Sequence, residues 1–367
     1  LGLIVMDEEQ ESTYKSESTP RYHARDIAKF RVNYNRAYCL LCSATPSVES
    51  YYMAQSGKYR YHALHHRYGD AVVPTVQLVD MNNEDLYRGK PMISMALARA
   101  VSENIRAGRQ SILLLNRRGY HTYAVCKDCK TVAACPNCSI SMTYHAANNR
   151  LMCHYCGHSE PAYVRCKACG GELTFSGGGT QKAEDQLREA FPEARILRVD
   201  TDTTANKYAL EKKLNAFANG EYDIMIGTQM VAKGLDFENV TLVGVLSADQ
   251  SLYSDDYRSN ERTFDLLTQV VGRAGRGRYR GTALIQTHVP ENPYLHLAAA
   301  QDYESFFETE IRFRRAMLYP PFADLLQIGF VGEKEDTVRA AAEHFSALLA
   351  ETFRQDYPNL PLRLLRA

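Results

Sequence analysis

Hydrophobic and polar positions follow two rhythms along this chain, one suited to buried strands and one to amphipathic helices. Leu3 to Met6 form an unbroken apolar run that stops at Asp7, Glu8 and Glu9. A short run bounded by polar residues reads as a strand buried on both faces. "AYCLLCSATPS" is a second such strand, feeding a polar turn at Ser43, Ala44, Thr45 and Pro46. Residues 1–57 therefore read as strand, loop, helix, strand and turn. Residues 58–92 show no clear period and are expected to bridge two domains. In "MISMALARAVSENIRAGRQSILLLNRRG" the apolar positions recur at helical spacing up to Gly108, then give way to a strand, Ser111 to Leu115, and a basic turn.

A cysteine-rich interval follows, and then the alternation resumes. A helix from Gln181 to Phe191 leads to a strand at "ARILRVD" and a helix near residues 205–218. Strands at "YDIMIGT" and "VTLVGVL", a helix ending in "TQVVGRAGRG" and a strand at "GTALIQTH" complete the series. Strands alternating with helices predict an α/β fold around a parallel sheet. The cysteine-rich block interrupts that sheet as an insertion. From residue 290 onward a long helix ends at "LYPPF", followed by a strand "DLLQIGFVG" and a helix through about Phe353. This reads as a separate small α/β domain.

Composition narrows the reading. With 367 residues the chain can hold two or three domains, each burying a core. Lys plus Arg equals Asp plus Glu, 43 each, so no global basic charge points to nucleic acid and any such surface must be local. No apolar run reaches the roughly 18 residues of a membrane span, and no signal peptide is visible, so a cytoplasmic location without membrane contact is expected. The chain begins without Met and inside a strand, which reads as a piece of a longer protein.

Of ten cysteines, eight lie between residues 126 and 169 as four C-x-x-C pairs. In a chain without a secretory signal, this clustering argues for metal and against disulfides. The pairs are Cys126/Cys129, Cys135/Cys138, Cys153/Cys156 and Cys166/Cys169. Each C-x-x-C knuckle offers two thiolates, and two knuckles complete a tetrahedron, so eight ligands predict two zinc ions. Three pairings of the knuckles are possible. Fourteen residues, "SISMTYHAANNRLM", separate the second pair from the third and read as two short strands around an Asn-containing turn. That hairpin favours a nested arrangement, with Cys135, Cys138, Cys153 and Cys156 inside and Cys126, Cys129, Cys166 and Cys169 outside. Cys₄ coordination leaves no open position, so both sites are expected to be structural. His145, His154 and His158 are read as spare. Cys39 and Cys42 have the same spacing but lie in an apolar strand, where cysteine behaves as a small hydrophobe.

"DEEQ" alone is a weak signal, since an acidic surface turn would look the same. It gains weight from "SAT" at Ser43 to Thr45, "GTQMVAKGLDF" from Gly227 and "QVVGRAGRGR" from Gln269. In this order the set resembles motifs II, III, V and VI of superfamily 2 helicases. The resemblance implies a partial first lobe (1–57), a linker (58–92), a RecA-like second lobe (93–121 and 176–289), the two-zinc insertion (122–175) and a C-terminal α/β domain (290–367). It also implies site roles. Asp7 would hold magnesium through its water shell, and Glu8, with Gln10 beside it, would orient and deprotonate the attacking water. Ser43 and Thr45 would link the nucleotide to the DNA-facing side. Gln269, Arg273 and Arg276 would face the cleft, with Arg276 as arginine finger. Gly234 and Asp236 lie on the loop back toward the nucleotide, and Thr228 and Gln229 suit a DNA phosphate. The phosphate loop G-x-x-x-x-G-K-[ST] does not occur in these residues, so it is expected upstream.

"DEEQESTYKSESTPRYHARDIA", "SILLLNRRGY", the four inserted knuckles and "ERTFDLLTQVVGRAGR" together resemble the PriA family of bacterial primosomal replication-restart helicases. The resemblance implies a 3′-to-5′ DNA helicase that remodels stalled forks and promotes reloading of the replicative helicase. It implies ATP, magnesium and zinc as cofactors. Its partners would be branched and single-stranded DNA, other primosome proteins, the replicative helicase loader and single-stranded DNA-binding protein. The family's loop after motif II maps to Tyr14 through Asp26, where Tyr14, Tyr22, His23 and Arg25 fit a device that feels bases and a phosphate. A surface loop packed on lobe one is the bland reading. Arg117 could touch a backbone phosphate or be solvated, and Thr180 opens a helix, where free N–H groups favour phosphate. Two alternatives stay open: a superfamily 2 DNA repair translocase with a zinc insertion, and a non-enzymatic DNA- or protein-binding scaffold.

Overall fold

The computed structural model describes residues 1–16, 19–64, 74–115, 122–137, 140–145, 149–153, 157–176, 180–199, 207–228, 231, 237–253, 256–275, 279–332 and 334–364. The first unit is a pair of parallel strands, β1 (Leu3–Asp7) and β2 (Tyr38–Cys42), with helix α1 (Ala24–Asn35) between them. The register sets Asp7 opposite Cys42, so "DEEQ" and "SAT" leave the pair side by side. Helix α2 (Val48–Gln55) follows, where the sequence pattern suggests only a turn. Eight residues make a weak periodic signal, and tertiary contacts stabilise most short helices.

The second unit is a six-stranded, all-parallel sheet in the order β10-β11-β4-β12-β13-β3. Its strands are β3 (Thr75–Asp80), β4 (Gln110–Leu115), β10 (Ile196–Val199), β11 (Ile224–Gly227), β12 (Val240–Ser247) and β13 (Thr282–Thr287). Helices α3 (Met95–Arg106), α4 (Thr180–Ala190), α5 (Lys207–Ala218), α6 (Asp249–Leu252) and α7 (Ser259–Val271) connect them. Side chains of β4 alternate between two cores. Ile112 and Leu114 pack with α2, α7 and the C-terminal helices, whereas Leu113 and Leu115 pack with α3 and α4. A strand covered on both faces needs apolar residues at every position, which is why β4 reads as an unbroken run.

Residues 58–92 are more than a linker: Thr75–Asp80 is the edge strand β3, in register with Thr282–Thr287. Its faces are unequally covered, and Thr75, Gln77 and Asp80 break the apolar run, so the pattern hides it.

The cysteine-rich block is a five-stranded antiparallel sheet in the order β8-β7-β6-β5-β9. Strands β5 (Thr122–Cys126) and β9 (Leu173–Ser176) pair as its stem, while β6 (Thr143–His145) and β7 (Arg150–Met152) form the hairpin of the spacer and β8 (Ser159–Pro161) flanks it. The block rests on lobe two through Tyr123, whose ring lies 5.3 Å from that of Tyr253, and through Ser141, which donates to the Tyr253 carbonyl.

After β13 come α8 (Pro293–Ala300), α9 (Tyr303–Met317) and α10 (Glu335–Asp356). The stretch "DLLQIGFVG" has no regular secondary structure and pairs with no strand among the described residues, so the expected C-terminal strand is not formed here. A β-conformation becomes a strand only when its N–H and C=O groups find a neighbour. No described helix is long and apolar enough to cross a membrane.

Candidate functional site

At the carboxyl ends of β1 and β2 a chain of hydrogen bonds joins the two motifs. The Thr45 N–H donates to Ser43 Oγ at 2.9 Å, and Ser43 Oγ donates to Gln10 Oε1 at 2.6 Å. The amide of Gln10 then donates to Glu8 Oε2 at 2.7 Å. The same carboxylate oxygen accepts a second amide at 3.2 Å, from Gln269 on α7. Residues 261 positions apart thus meet on one oxygen. Glu8 sits at φ +48°, a left-handed conformation that costs a residue with a side chain roughly 1–2 kcal/mol. Its backbone N–H donates to Asp7 Oδ1 at 3.1 Å, and Tyr14 donates from its hydroxyl to the Asp7 carbonyl at 2.8 Å. Lobe one supplies the carboxylates and lobe two the amide, as a site assembled across a cleft requires.

Glu9, to which sequence reading gave no role, is the anchor of this corner. It is 2% exposed and accepts from Ser47 N at 2.6 Å, Ser50 Oγ at 3.1 Å and Arg25 Nη1 at 2.8 Å. Arg25 is therefore directed into the protein, where it also reaches the hydroxyls of Ser47 and Ser50. In this arrangement the guanidinium is occupied by Glu9 and the two hydroxyls, so a phosphate contact would have to compete with a nearly buried carboxylate. His23 is likewise a helix cap, accepting from the Arg25 N–H at 3.2 Å at the start of α1. Burial, then the Arg25 charge, lowers its imidazole below the ordinary value. Tyr22 remains outward and 46% exposed, and Tyr14 is half-buried against Asp7. An antiparallel bridge between Lys15 and His23 closes the loop they share.

Thr45 is 1% exposed, with its hydroxyl beside the carboxyl of Asp265. Across the lobe boundary, burial pushes the carboxyl of Asp265 well above the usual range, and the neighbouring Glu261 adds to the shift. Arg273 lies half-buried just beyond the end of α7. Gly275 has φ +73°, and a Cβ there would lie 2.2 Å from the Gly281 nitrogen, so only glycine fits this turn. Thr228 directly follows β11, beside β4, and Thr180 is the first residue of α4. Arg117, Gln229, Gly234, Asp236 and Arg276 lie outside the described residues, as does the side chain of Thr180.

The knuckles share one turn. In each, the N–H of the first cysteine donates to the carbonyl five residues on: Cys126 to Thr131, Cys135 to Ile140, Cys153 to His158 and Cys166 to Gly171. The fifth position takes positive φ at Lys130, Gly157 and Gly170. Such a turn curls N–H groups toward sulfur, and Ala168 and Gly171 donate to Cys166 and Cys169 Sγ, each at 3.4 Å.

The first and last pairs come together. The sulfurs of Cys126, Cys129, Cys166 and Cys169 all lie within 4.8 Å of one another, with Cys126 to Cys169 at 3.5 Å and Cys129 to Cys166 at 3.6 Å. Zinc bonds of about 2.3 Å in a tetrahedron place sulfurs roughly 3.8 Å apart, so the four thiolates fit zinc. A Cβ at Gly171 would come 3.0 Å from the Cys126 sulfur, so glycine keeps room beside the cluster. Cys129 is lowered to about 6, first by its hydrogen bond with the Thr131 hydroxyl. Cys169 gains from the Gly171 N–H but is pushed up to about 12 as it shares a proton with the neighbouring sulfurs. Four crowded thiols resist losing every proton unless a cation balances them. From the inner pairs, Cys135 and Cys153 are both 1% exposed in one apolar cluster, and Cys138 and Cys156 lie outside the described residues.

Residues 135–161 match the PriA DNA helicase Cys-rich region domain, and residues 173–278 match the helicase conserved C-terminal domain. This is a zinc-binding region set into a helicase lobe. The replication restart protein PriA of Bacillus subtilis is 47% identical over 350 residues, covering 95% of this chain and 44% of that protein. Its counterpart in Chlamydia pneumoniae is 40% identical, covering 99% of this chain and 49% of that protein. The chain thus spans about half the length of the curated relatives it matches. With motifs II, III, V and VI in order, the cysteine insertion in place and this likeness along almost its whole length, the chain belongs to the PriA replication restart family.

Proposed function

We propose that this chain carries the motor centre and zinc insertion of an ATP-dependent helicase that moves 3′-to-5′ on DNA, remodels stalled forks and promotes reloading of the replicative helicase. The observation that carries this reading is the meeting of Gln269 with Glu8. An ATPase built from two lobes needs a base from one and transition-state donors from the other. Asp7 would hold magnesium, and Glu8, fixed by Gln10 and Gln269, would orient and deprotonate the attacking water. Bound magnesium–ATP supplies the scissile phosphoryl group and the charge that Arg273 and Arg276 would stabilise. Gly234 and Asp236 complete the nucleotide side. Ser43 and Thr45 would link it to the DNA side, where Thr228, Gln229, Thr180, Arg117 and the exposed Tyr22 are the proposed contacts. Two structural zinc ions would occupy nested Cys₄ sites. The proposed partners are branched and single-stranded DNA, primosome proteins, the helicase loader and single-stranded DNA-binding protein.

These 367 residues contain no G-x-x-x-x-G-K-[ST] loop, so alone they are not expected to turn over ATP. The test uses the full-length protein that contains this stretch. An arginine finger contributes roughly 10³–10⁵ in rate, so Arg276→Ala should lower DNA-stimulated ATP turnover by at least about 10²-fold, with DNA affinity changed only a few-fold. Glu8→Gln should abolish turnover. Normal hydrolysis by Arg276→Ala at saturating DNA, with much weaker DNA binding, would make Arg276 a backbone contact. A full-length protein that binds forks without any ATP turnover would support the scaffold reading instead.

A further inference from the structure

Where lobe one, lobe two and the C-terminal segment meet lies a buried charged cluster outside the motor motifs. Arg314, on α9, is fully buried and is the largest such side chain described. Its guanidinium is shared among three helices. Nε donates to Glu310 of α9 at 2.9 Å, and Nη2 donates to Glu261 of α7 at 2.8 Å. Nη1 lies 3.4 Å from Glu49 of α2. Glu49 also accepts from Arg258 at 2.7 Å, and the second oxygen of Glu261 accepts from the Val48 N–H at 2.7 Å. Tyr303, also on α9, donates to the Pro46 carbonyl at 2.6 Å.

These bonds close a circuit. From Glu8 it runs through Gln10 and Ser43 to Thr45, along the chain to Val48, across to Glu261, down α7 to Gln269, and back to Glu8. Glu261 and Gln269 are eight residues apart, about 12 Å along one rigid helix. The apolar contacts between these helices, Phe264 on Phe306 and Tyr51 on Phe307, hold them together but do not fix the sliding of one along another. Hydrogen bonds to a planar, permanently charged fork do fix it.

We propose that Arg314 is a positioning residue of the motor: by holding Glu261 and Glu49 together it sets α7 against α2, and so sets Gln269 on Glu8. This rests on the reading of Glu8 and Gln269 as ATP-site residues. It also makes the C-terminal segment a part of the motor's alignment. Disturbing α9 would reach the ATP site without touching nucleotide or DNA.

The test compares Arg314→Met, which keeps the stem and removes the fork, with Arg314→Lys, which keeps the charge alone, in the full-length protein. A small misplacement of reacting groups is costly, so kcat for DNA-stimulated ATP hydrolysis should fall about tenfold or more in Arg314→Met. KM for ATP and DNA affinity should stay within about twofold, the pattern of an interaction felt in the transition state. Arg314→Lys should recover only part of the rate. Amide exchange at Thr45, Ser47 and Val48 should quicken while β4 and β12 stay protected. If Arg314→Met does not fold, Glu261→Gln, which keeps the shape and removes the charge, takes the same measurements. Unchanged kcat, or exchange that quickens across all of lobe two, overturns the proposal. If the parent protein shows no DNA-stimulated turnover, the motor reading fails, and exchange at these three amides still decides whether Arg314 ties α2 to α7.

Discussion

Lobe two and the cysteine-rich insertion solve the same problem by different means. In lobe two, β4 and β12 are buried along almost every residue and feed apolar cores on both faces of a parallel sheet. In the insertion three of the five strands have only three residues, and the main apolar cluster is Ala124, Ala133, Cys135, Ile140, Met142, Leu151 and Cys153. Two of those seven are knuckle cysteines. Hydrophobic burial grows with the size of the unit, so a small unit cannot offset its chain entropy by packing alone. Coordination by the clustered cysteines would do what the core cannot. The difference shows why the insertion can sit in the middle of a helicase lobe: bound metal would give it its own source of stability, and among the described residues its contacts with lobe two include Tyr123 and Ser141 on Tyr253.

The strongest way to break this comparison is to remove metal. Structural zinc supplies about 10–16 kcal/mol per site in zinc-finger peptides, as large as the roughly 5–15 kcal/mol net stability of a typical domain. Metal analysis should find two zinc ions per chain. Chelation should erase amide protection from β5 to β9 and leave β4, β12 and β13 protected. Cys138→Ser should cost the inner site alone. Loss of protection in lobe two on chelation would mean that the two units fold as one.

The converse experiment truncates the lobe core. Phe264 is fully buried and stacks on Phe306 with ring centroids 4.2 Å apart. Phe264→Ala should destabilise the lobe by about 3–5 kcal/mol, read from denaturant unfolding, with zinc content unchanged. A variant that sheds zinc as it loses stability would erase the distinction.

The smallest effect concerns acid. Burial raises the carboxyl of Glu49, but Arg258 and Arg314 pull it down further, from an ordinary 4.5 to about 2. A folded value below the unfolded one means that the unfolded chain binds more protons in this window. The contribution of Glu49 is therefore complete above about 4.5 and is lost as the pH falls toward 2. Glu49→Gln should flatten the acid dependence of lobe unfolding in that window and leave the pH of zinc release where it was. An unchanged acid slope would show that the junction does not titrate through Glu49.

Several parts of the molecule are legible from residues alone. The buried strands are unbroken apolar runs because both faces are covered. The knuckles announce themselves because zinc geometry demands two thiolates at fixed spacing. Asp7, Glu8, Gln10 and Gln269 stand in motifs whose order survives any reading of the fold. Three features are hidden. Strand β3 is an edge with polar interruptions, and α2 is short and held by partners far along the chain. Arg25 is indistinguishable in sequence from a solvent-facing phosphate contact until Glu9 is found 2.8 Å away.

Sequence determined the local chemistry of this protein: which segments bury, where thiolates cluster, and which motifs carry carboxylates, amides and guanidinium groups. Tertiary structure alone decided which of those groups meet. Glu9 took Arg25, and Arg314 took Glu49 and Glu261, whereas the meeting of the first knuckle with the fourth follows the nested order that the spacer hairpin already favoured. The physical reason is range. Periodicity and turn chemistry act over a few residues, so they are written in short stretches of sequence. A buried ion pair or a shared metal depends on the packing of elements dozens to hundreds of residues apart, and a lone Arg or Glu carries no mark of its eventual partner.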